Sequence, residues 1–393
     1  MTDPVVIVSY ARTPMGAFQG ALSGATATQL GAVAVKAAIE RAGVDPALIE
    51  RIYMGCVLPA GLGQAPARQA ALGAGLPQSV EATTINKMCG SGMQAVILAQ
   101  EGLAAGAADI LVAGGMESMT NAPYALPKHR KGARLGHDRI IDTMMMDGLE
   151  DAYSVGRPMG AFAQETADEF EFTRALQDTY AIESLRRANE AVTSGAFAKE
   201  IAAVTIANRG GDIIVDTDEQ PGKAKADKIP MLKSAFADGG SITAATSASI
   251  SDGAAALVLT RKSIAERLGL PIVAEIVATA AHAHAPERFT TAPVFAIRKV
   301  LDKAGWTVDD VDLFEVNEAF AVVAMIAARE LGIAYDRLNV HGGATALGHP
   351  IGASGARLIA TLLAALERHG GRKGVASLCI GGGEATAIAL QRQ

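Results

Sequence analysis

Short unbroken apolar runs alternate along this chain with longer stretches whose apolar residues recur at helical spacing. Residues 5–9 form the first run and predict a buried strand, followed by a loop at 11–14. From 28 to 42, Leu30, Val33, Val35, Ala38 and Ile39 keep helical periodicity and stop at Gly43, which predicts a helix with a glycine end. A turn or short helix at 46–50, a strand at 52–56, a short helix at 66–72 and a strand at 82–85 follow. The Ala-rich run 93–108 reads as a helix, and Ile110 to Ala113 begin a strand that ends at Gly114-Gly115-Met116-Glu117. Strands alternating with helices in this way predict a layered α/β unit.

At Ser118 the pattern breaks. From 119 to 247 the chain is richer in charge, Met, Pro and Gly, with the run Met144-Met145-Met146-Asp147-Gly148-Leu149 and an amphipathic helix at 173–194. An insertion of this length inside an α/β unit reads as a lid, a substrate cover or an oligomer contact. Its basic patch, Lys128-His129-Arg130-Lys131 with Arg134, is either a solvated face or a contact to an anion or a neighbouring subunit.

The first pattern then repeats. Ser251 to Ala256 reads as a turn leading into a helix, 257–259 as a return to buried strand and 272–278 as the strand opening a second unit. The helix 292–304 ends at Gly305 as 28–42 ends at Gly43, and 308–314 answers 46–54. Gly352-Ala353-Ser354-Gly355 leads a long helix to Arg368, and 374–384 answers 108–117. Matching points stay about 260 residues apart, which predicts two duplicated halves. The expected boundaries are 1–118 plus 248–270 for the first half, 119–247 for the insertion and 271–393 for the second.

Composition narrows the function classes. The 393 residues are 50% hydrophobic and carry a net charge of −6, enough for a large core and without the basic field of a nucleic-acid binder. Cys56, Cys89 and Cys379 are far apart and form no CxxC pair, so neither a disulfide framework nor a thiolate metal site is expected. No run reaches membrane-spanning length, and a strand begins almost at once after Met1, so no membrane partner and a cytoplasmic location are expected.

Polar residues that differ between the two copies point to chemistry. Cys89, in Asn86-Lys87-Met88-Cys89-Gly90-Ser91-Gly92, lies between a strand and a helix start, where unpaired N–H groups favour thiolate. It is either an accessible nucleophile or a small core residue. The second copy carries Asn317-Glu318-Ala319-Phe320, then His349 held between Gly348 and Pro350, then Cys379 before three glycines. If the halves pack face to face, these side chains converge on Cys89: histidine suits proton transfer, and glycine-rich turns supply N–H donors for an oxyanion. Cys56 reads as core, and His282 with His284 lacks a third ligand for a metal.

Together, Asn86 to Gly92, Gly114 to Glu117, Asn317 to Phe320, Gly348 to Gly355 and Cys379 to Gly383 resemble the thiolase family, most closely its acetyl-CoA acetyltransferases. The resemblance runs from Val6 to Leu390. It implies an α/β thiolase fold of two duplicated βαβαβαββ halves in five α-β-α-β-α layers, with an inserted loop domain covering the coenzyme A site. It also implies a Claisen condensation of two acetyl-CoA to acetoacetyl-CoA and CoA. By that likeness Cys89 carries the acyl group, His349 is its base, Cys379 removes an α-proton and Asn317 holds a water for the enolate. The backbone N–H groups of Cys89 and Gly381 would hold the tetrahedral intermediate. CoA thioesters enter as substrates, with no cofactor or metal, and a homotetramer is expected.

The likeness further implies substrate contacts at Leu149, Met159, Phe236, Ala244, Ala245 and Phe320. Departures from the family pattern accompany them. Arg157-Pro158-Met159 lacks an expected histidine. An expected pantetheine-binding serine falls on Ala248, leaving Ser247 and Ser249 as substitutes. An expected arginine falls near Pro221, leaving Lys223, Lys225 or Lys228 for the phosphates. Phe289 falls where acyl pockets differ. These departures bear on chain length, and the alternative reading is a broader 3-ketoacyl-CoA thiolase of fatty-acid β-oxidation.

Overall fold

The computed structural model describes residues 3–393. The first half is built from β1 (Val5–Arg12), α1 (Ala27–Ala42), β2 (Arg51–Gly55), α2 (Pro66–Gly73), β3 (Glu81–Ile85), α3 (Ser91–Ala104) and β4 (Ile110–Ser118). The insertion holds α4 (Met159–Glu169) and α5 (Arg174–Thr193), after which β5 (Ser251–Arg261) closes the half. The second half runs β6 (Ala274–Ala283), α6 (Ala292–Ala304), β7 (Leu313–Val316), α7 (Ala321–Leu331), α8 (Ser354–His369), β8 (Lys373–Ile380) and β9 (Glu384–Arg392).

Strand order makes the duplication explicit. The first half reads β3-β2-β4-β5-β1 and the second β7-β8-β9-β6, with the same parallel and antiparallel senses at matching places. The counterpart of β3 has shrunk to one parallel bridge, Phe314 to Leu338. The two sheets join through β1 and β6, where Val6 pairs Glu275 and Ile7 pairs Ala274, so one sheet runs through both halves, with the short strand Gly16–Ala17 paired beside β5 as its tenth.

Alternation along the strands sorts side chains into layers. On β5, Ala254, Ala256 and Val258 face α1 and α2, while Ala255, Leu257 and Leu259 face α3 and α8. On β8, Val375 and Cys379 face α6 and α7, while Ala376 and Leu378 face α3 and α8. The result is α1/α2, sheet, α3/α8, sheet, α6/α7. Buried on both faces, such strands need unbroken apolar sequence. Helix α8, in the central layer, is buried from Ser354 to Leu366, and each leucine there contributes about 2 kcal/mol of burial.

Several local expectations are corrected. Residues 11 and 12 belong to β1 rather than a loop, because Ala11 and Arg12 pair with Ala256 and Ala255 of β5, and the fully buried Arg12 side chain is paired with Glu200 and Asp218. Residues 251–256 are strand, not a turn into a helix: alanines small enough for either period are claimed by pairing with β4. Helix α3 spans Ser91–Ala104 rather than 93–108, and β6 continues to Ala283. Among the described residues, no helix is long and apolar enough to cross a membrane.

Candidate active site

Cys89 stands on a tight turn between β3 and α3. Asn86 Oδ1 accepts from Met88 N–H at 3.0 Å, and Ser91 Oγ accepts from Lys87 N–H at 2.8 Å while donating to the Met88 carbonyl at 2.6 Å. Met88 is held at φ +47°, an uncommon conformation for a non-glycine residue and one that functional turns often store. The first amides of the following helix are already engaged: Gly90 N–H bonds Lys87 O and Ser91 N–H bonds Met88 O. Its own backbone N–H and that of Gly381, one from each half of the molecule, are the groups that favour charge on the sulfur.

His349 is buried in the loop between α7 and α8, with its backbone N–H bonded to Ser249 O at 3.1 Å. Its Nδ1 lies 2.6 Å from Ser354 Oγ, and Ser354 gives its one proton to Pro350 O at 2.8 Å. Nδ1 is therefore the donor, which leaves the Nε2 lone pair free to accept a proton. Cys379 is the last but one residue of β8, followed by Ile380 and then the turn that begins at Gly381. Glu117 draws the pieces together: its carboxylate accepts from Val57 and Leu58 N–H after β2 and from Gly352 N–H beside His349. Gly115 is required where β4 meets that loop, since a Cβ there would overlap the Gly352 carbonyl oxygen. Lys87 and Glu384 form an ion pair that ties the Cys89 turn to the Gly381 turn.

These groups open on one cavity of about 600 Å³. Cys89, His349, Cys379 and Gly381 line it, with Leu149, Met159, Ala248, Phe289 and Phe320. Asn317 does not: it is fully buried behind His349, its Nδ2 3.4 Å and 3.5 Å from the two ring nitrogens. Six expected substrate contacts also lie off the lining. Phe236 packs edge-on against Phe320, and Ser247 is turned inward to bond Thr243 O at 2.8 Å. Ser249 presents its carbonyl to His349, while Ala244 and Ala245 sit on the turn just before. Lys223 is exposed and paired with Glu219.

Electrostatics correct the expectation of a resting thiolate. Burial pushes the Cys89 thiol up to about 11, outweighing the two amide hydrogen bonds that favour the anion. Cys379 is also raised, by burial and then by the neighbouring Cys89. Burial, with Arg357 adding to it, holds His349 down to about 3. The resting set is a thiol, a neutral imidazole and a second thiol, poised for proton transfer within a site rather than for a standing ion pair.

The thiolase N-terminal domain model matches residues 5–263 and the thiolase C-terminal domain model matches residues 270–392. The chain belongs to the thiolase family. Similar proteins include acetyl-CoA acetyltransferase 1 of Arabidopsis thaliana, 51% identical over 390 residues covering 98% of this chain and 94% of that protein. The probable acetyl-CoA acetyltransferase of Escherichia coli strain K12 is 45% identical, with 99% of each chain covered. Among solved structures, the Acat5 thiolase of Ascaris suum in complex with coenzyme A superposes with a TM-score of 0.94 at 39% identity, covering 99% of this chain and 100% of that one.

Sequence reasoning missed one wall of the thiolase cavity. Met146, Asp147, Gly148, Glu150, Asp151, Ala152 and Tyr153 line it together with Leu149, on and after the π-helical turn Met145–Leu149. The signal was present in the methionine-rich run 144–149, whose flexible side chains suit an adaptable lining. Ser354 was also missed as the partner of His349, although it sits in the same glycine-rich motif.

Proposed function

We propose that this thiolase condenses two acetyl-CoA molecules to acetoacetyl-CoA and CoA, reversibly, through an acetyl group carried on Cys89. The observation that carries the reading is the meeting of Cys89, His349 and Cys379 on one cavity, with Gly381 in the same lining. The names of the relatives fit the same reaction.

In the first half-reaction, His349 Nε2 takes the Cys89 proton as the sulfur attacks the thioester carbonyl. The oxyanion forms two bonds from the sulfur, on the former carbonyl oxygen, where the Cys89 and Gly381 amides can receive it. CoA leaves with a proton returned by His349. Cys379, its own proton first passed to His349, next removes a methyl proton from a second acetyl-CoA, with the protonated His349, backed by Asn317, supporting the enolate oxygen. The carbanion attacks acetyl-Cys89, the C–S bond breaks, and the leaving thiolate takes the proton held on His349, which restores the thiol. A thiol serves because its anion is both a good nucleophile and a good leaving group. The CoA thioesters are substrates, and no cofactor or metal enters the scheme.

In this reading, Leu149, Met159, Ala248, Phe289 and Phe320 hold the acyl and pantetheine end. Phe236, Ala244, Ala245, Ser247 and Ser249 support that wall, and Lys223 lies farther out for the phosphates. The enzyme would work in a cytoplasm as a homotetramer joined through the insertion, where the exposed Leu126, Leu135 and Ile140 give apolar surface for a neighbour. Incubation with acetyl-CoA and peptide mass spectrometry test the acyl carrier: acetyl on the Cys89 peptide, removed by added CoA, is expected. No acylation of Cys89 would overturn the assignment.

A further inference from the structure

Behind His349 lies a buried polar row between β7 and α8. Glu315, Asn317 and Arg357 are all essentially without solvent exposure. Arg357 Nη2 donates to Asn317 Oδ1 at 3.4 Å, and its Nη1 lies 3.7 Å from Glu315 Oε2. Arg357 Nε and Nη1 and both Glu315 oxygens find no hydrogen-bond partner among the described residues. A buried, under-satisfied guanidinium opposes stability unless it does something else.

The chemistry of the groups indicates what that is. A guanidinium only donates, whereas a carboxamide has one accepting and one donating end. With Arg357 on one side, the Asn317 oxygen must face it. The NH₂ group is then forced to the opposite side, where it meets the His349 ring. Without the guanidinium, nothing else on that side decides which way the carboxamide points.

We propose that Arg357 is a positioning residue for carbon–carbon bond formation, acting through Asn317: by holding the amide oxygen it keeps the amide N–H turned toward His349, whose ring faces the reacting end of the cavity. The inference rests on the acetyl-CoA condensation proposed above. When Cys379 takes the methyl proton, the C–H electron pair becomes the enolate and negative charge moves to the thioester oxygen. That is the charge that His349, with an oriented Asn317 behind it, supports. Acetylation of Cys89 places its oxyanion on the Cys89 and Gly381 amides and makes no such demand. The positive charge of Arg357 near His349 moreover opposes imidazolium formation, so removing it does not hinder the first half-reaction.

The two half-reactions are read separately, by rapid-quench CoA release for acetylation and by exchange of acetyl-CoA methyl protons with D₂O for enolate formation. Arg357→Met is expected to slow exchange about tenfold or more, the scale of one lost hydrogen bond to a charged group, with acetylation unchanged or faster. Arg357→Lys restores much of the exchange, because an ammonium still donates to Oδ1. In an Asn317→Ala background, Arg357→Met adds no further exchange defect. Equal loss in both half-reactions, or an additive defect in that background, would overturn the inference. Should Arg357→Met fail to fold, Arg357→Gln decides: its amide can present either end to Asn317, so the same split is expected and an unchanged ratio of rates refutes it. Wild-type protein that releases no CoA would instead overturn the condensation reading itself.

Discussion

The protonation of Cys89 offers a quantitative test of how burial and hydrogen bonding balance at the nucleophile. Its thiol is raised from the usual value of 9.0 to about 11, which disfavours the thiolate by about 3 kcal/mol. Because only the thiolate reacts with iodoacetamide, the alkylation rate reports its population. For a thiol titrating near 11, the rate rises about ninetyfold between pH 8 and pH 10. A thiol at the usual value of 9.0 gains only about tenfold over that range before levelling off. A thiolate paired with a His349 imidazolium gives a flat profile through pH 6 to 10. Pseudo-first-order alkylation of the unliganded enzyme, followed on the Cys89 peptide by mass spectrometry, separates the three. The steep profile is expected, with no inflection from His349 between pH 5 and 8 because that ring stays neutral there. A plateau below pH 8 would refute the balance drawn above.

Three further outcomes follow from the packing. Gly115→Ala forces β4 and the His349 loop apart, at a cost of about 1–3 kcal/mol in chemical denaturation, and should lower turnover beyond what the stability loss explains; unchanged turnover would mean the loop adjusts freely. Burial raises the Glu117 carboxyl from 4.5 to about 7, so the folded state keeps a proton the unfolded state loses. Stability from this group therefore falls by about 3 kcal/mol as pH climbs from 4.5 to 7, and Glu117→Gln should flatten that part of a melting-temperature profile. Phe289 is buried against Phe320 on the cavity wall, so Phe289→Ala should cost about 3 kcal/mol of stability and raise the relative rate on longer or branched 3-ketoacyl-CoA substrates; an unaltered substrate profile would remove Phe289 from chain-length control.

The duplication was legible in one dimension because the features that end elements are local. Gly43 and Gly305 take up left-handed conformations at +65° and +67° to close matching helices, as any reader of the two apolar patterns expects. The strand at 251–261 was not legible in full, since a run of alanines fits either period and only its neighbours choose. At the site, Cys89, His349 and Cys379 stood out because each is a reactive side chain among small residues. The protonation of Cys89 could not be read from its position before a helix. It depends on how deeply both halves bury the sulfur and on an amide from Gly381, nearly three hundred residues away. Asn317 was found as a motif, but its place behind His349 and its dependence on Arg357 follow from packing between β7 and α8 alone.

The most direct test of the central claim is CoA-dependent thiolysis of acetoacetyl-CoA beside a medium-chain 3-ketoacyl-CoA, with wild-type enzyme and Cys89→Ala. Strong preference for acetoacetyl-CoA, abolished by the substitution, is the expected result. Comparable rates on the longer chain would contradict the short-chain assignment, and activity that survives in Cys89→Ala would contradict the mechanism.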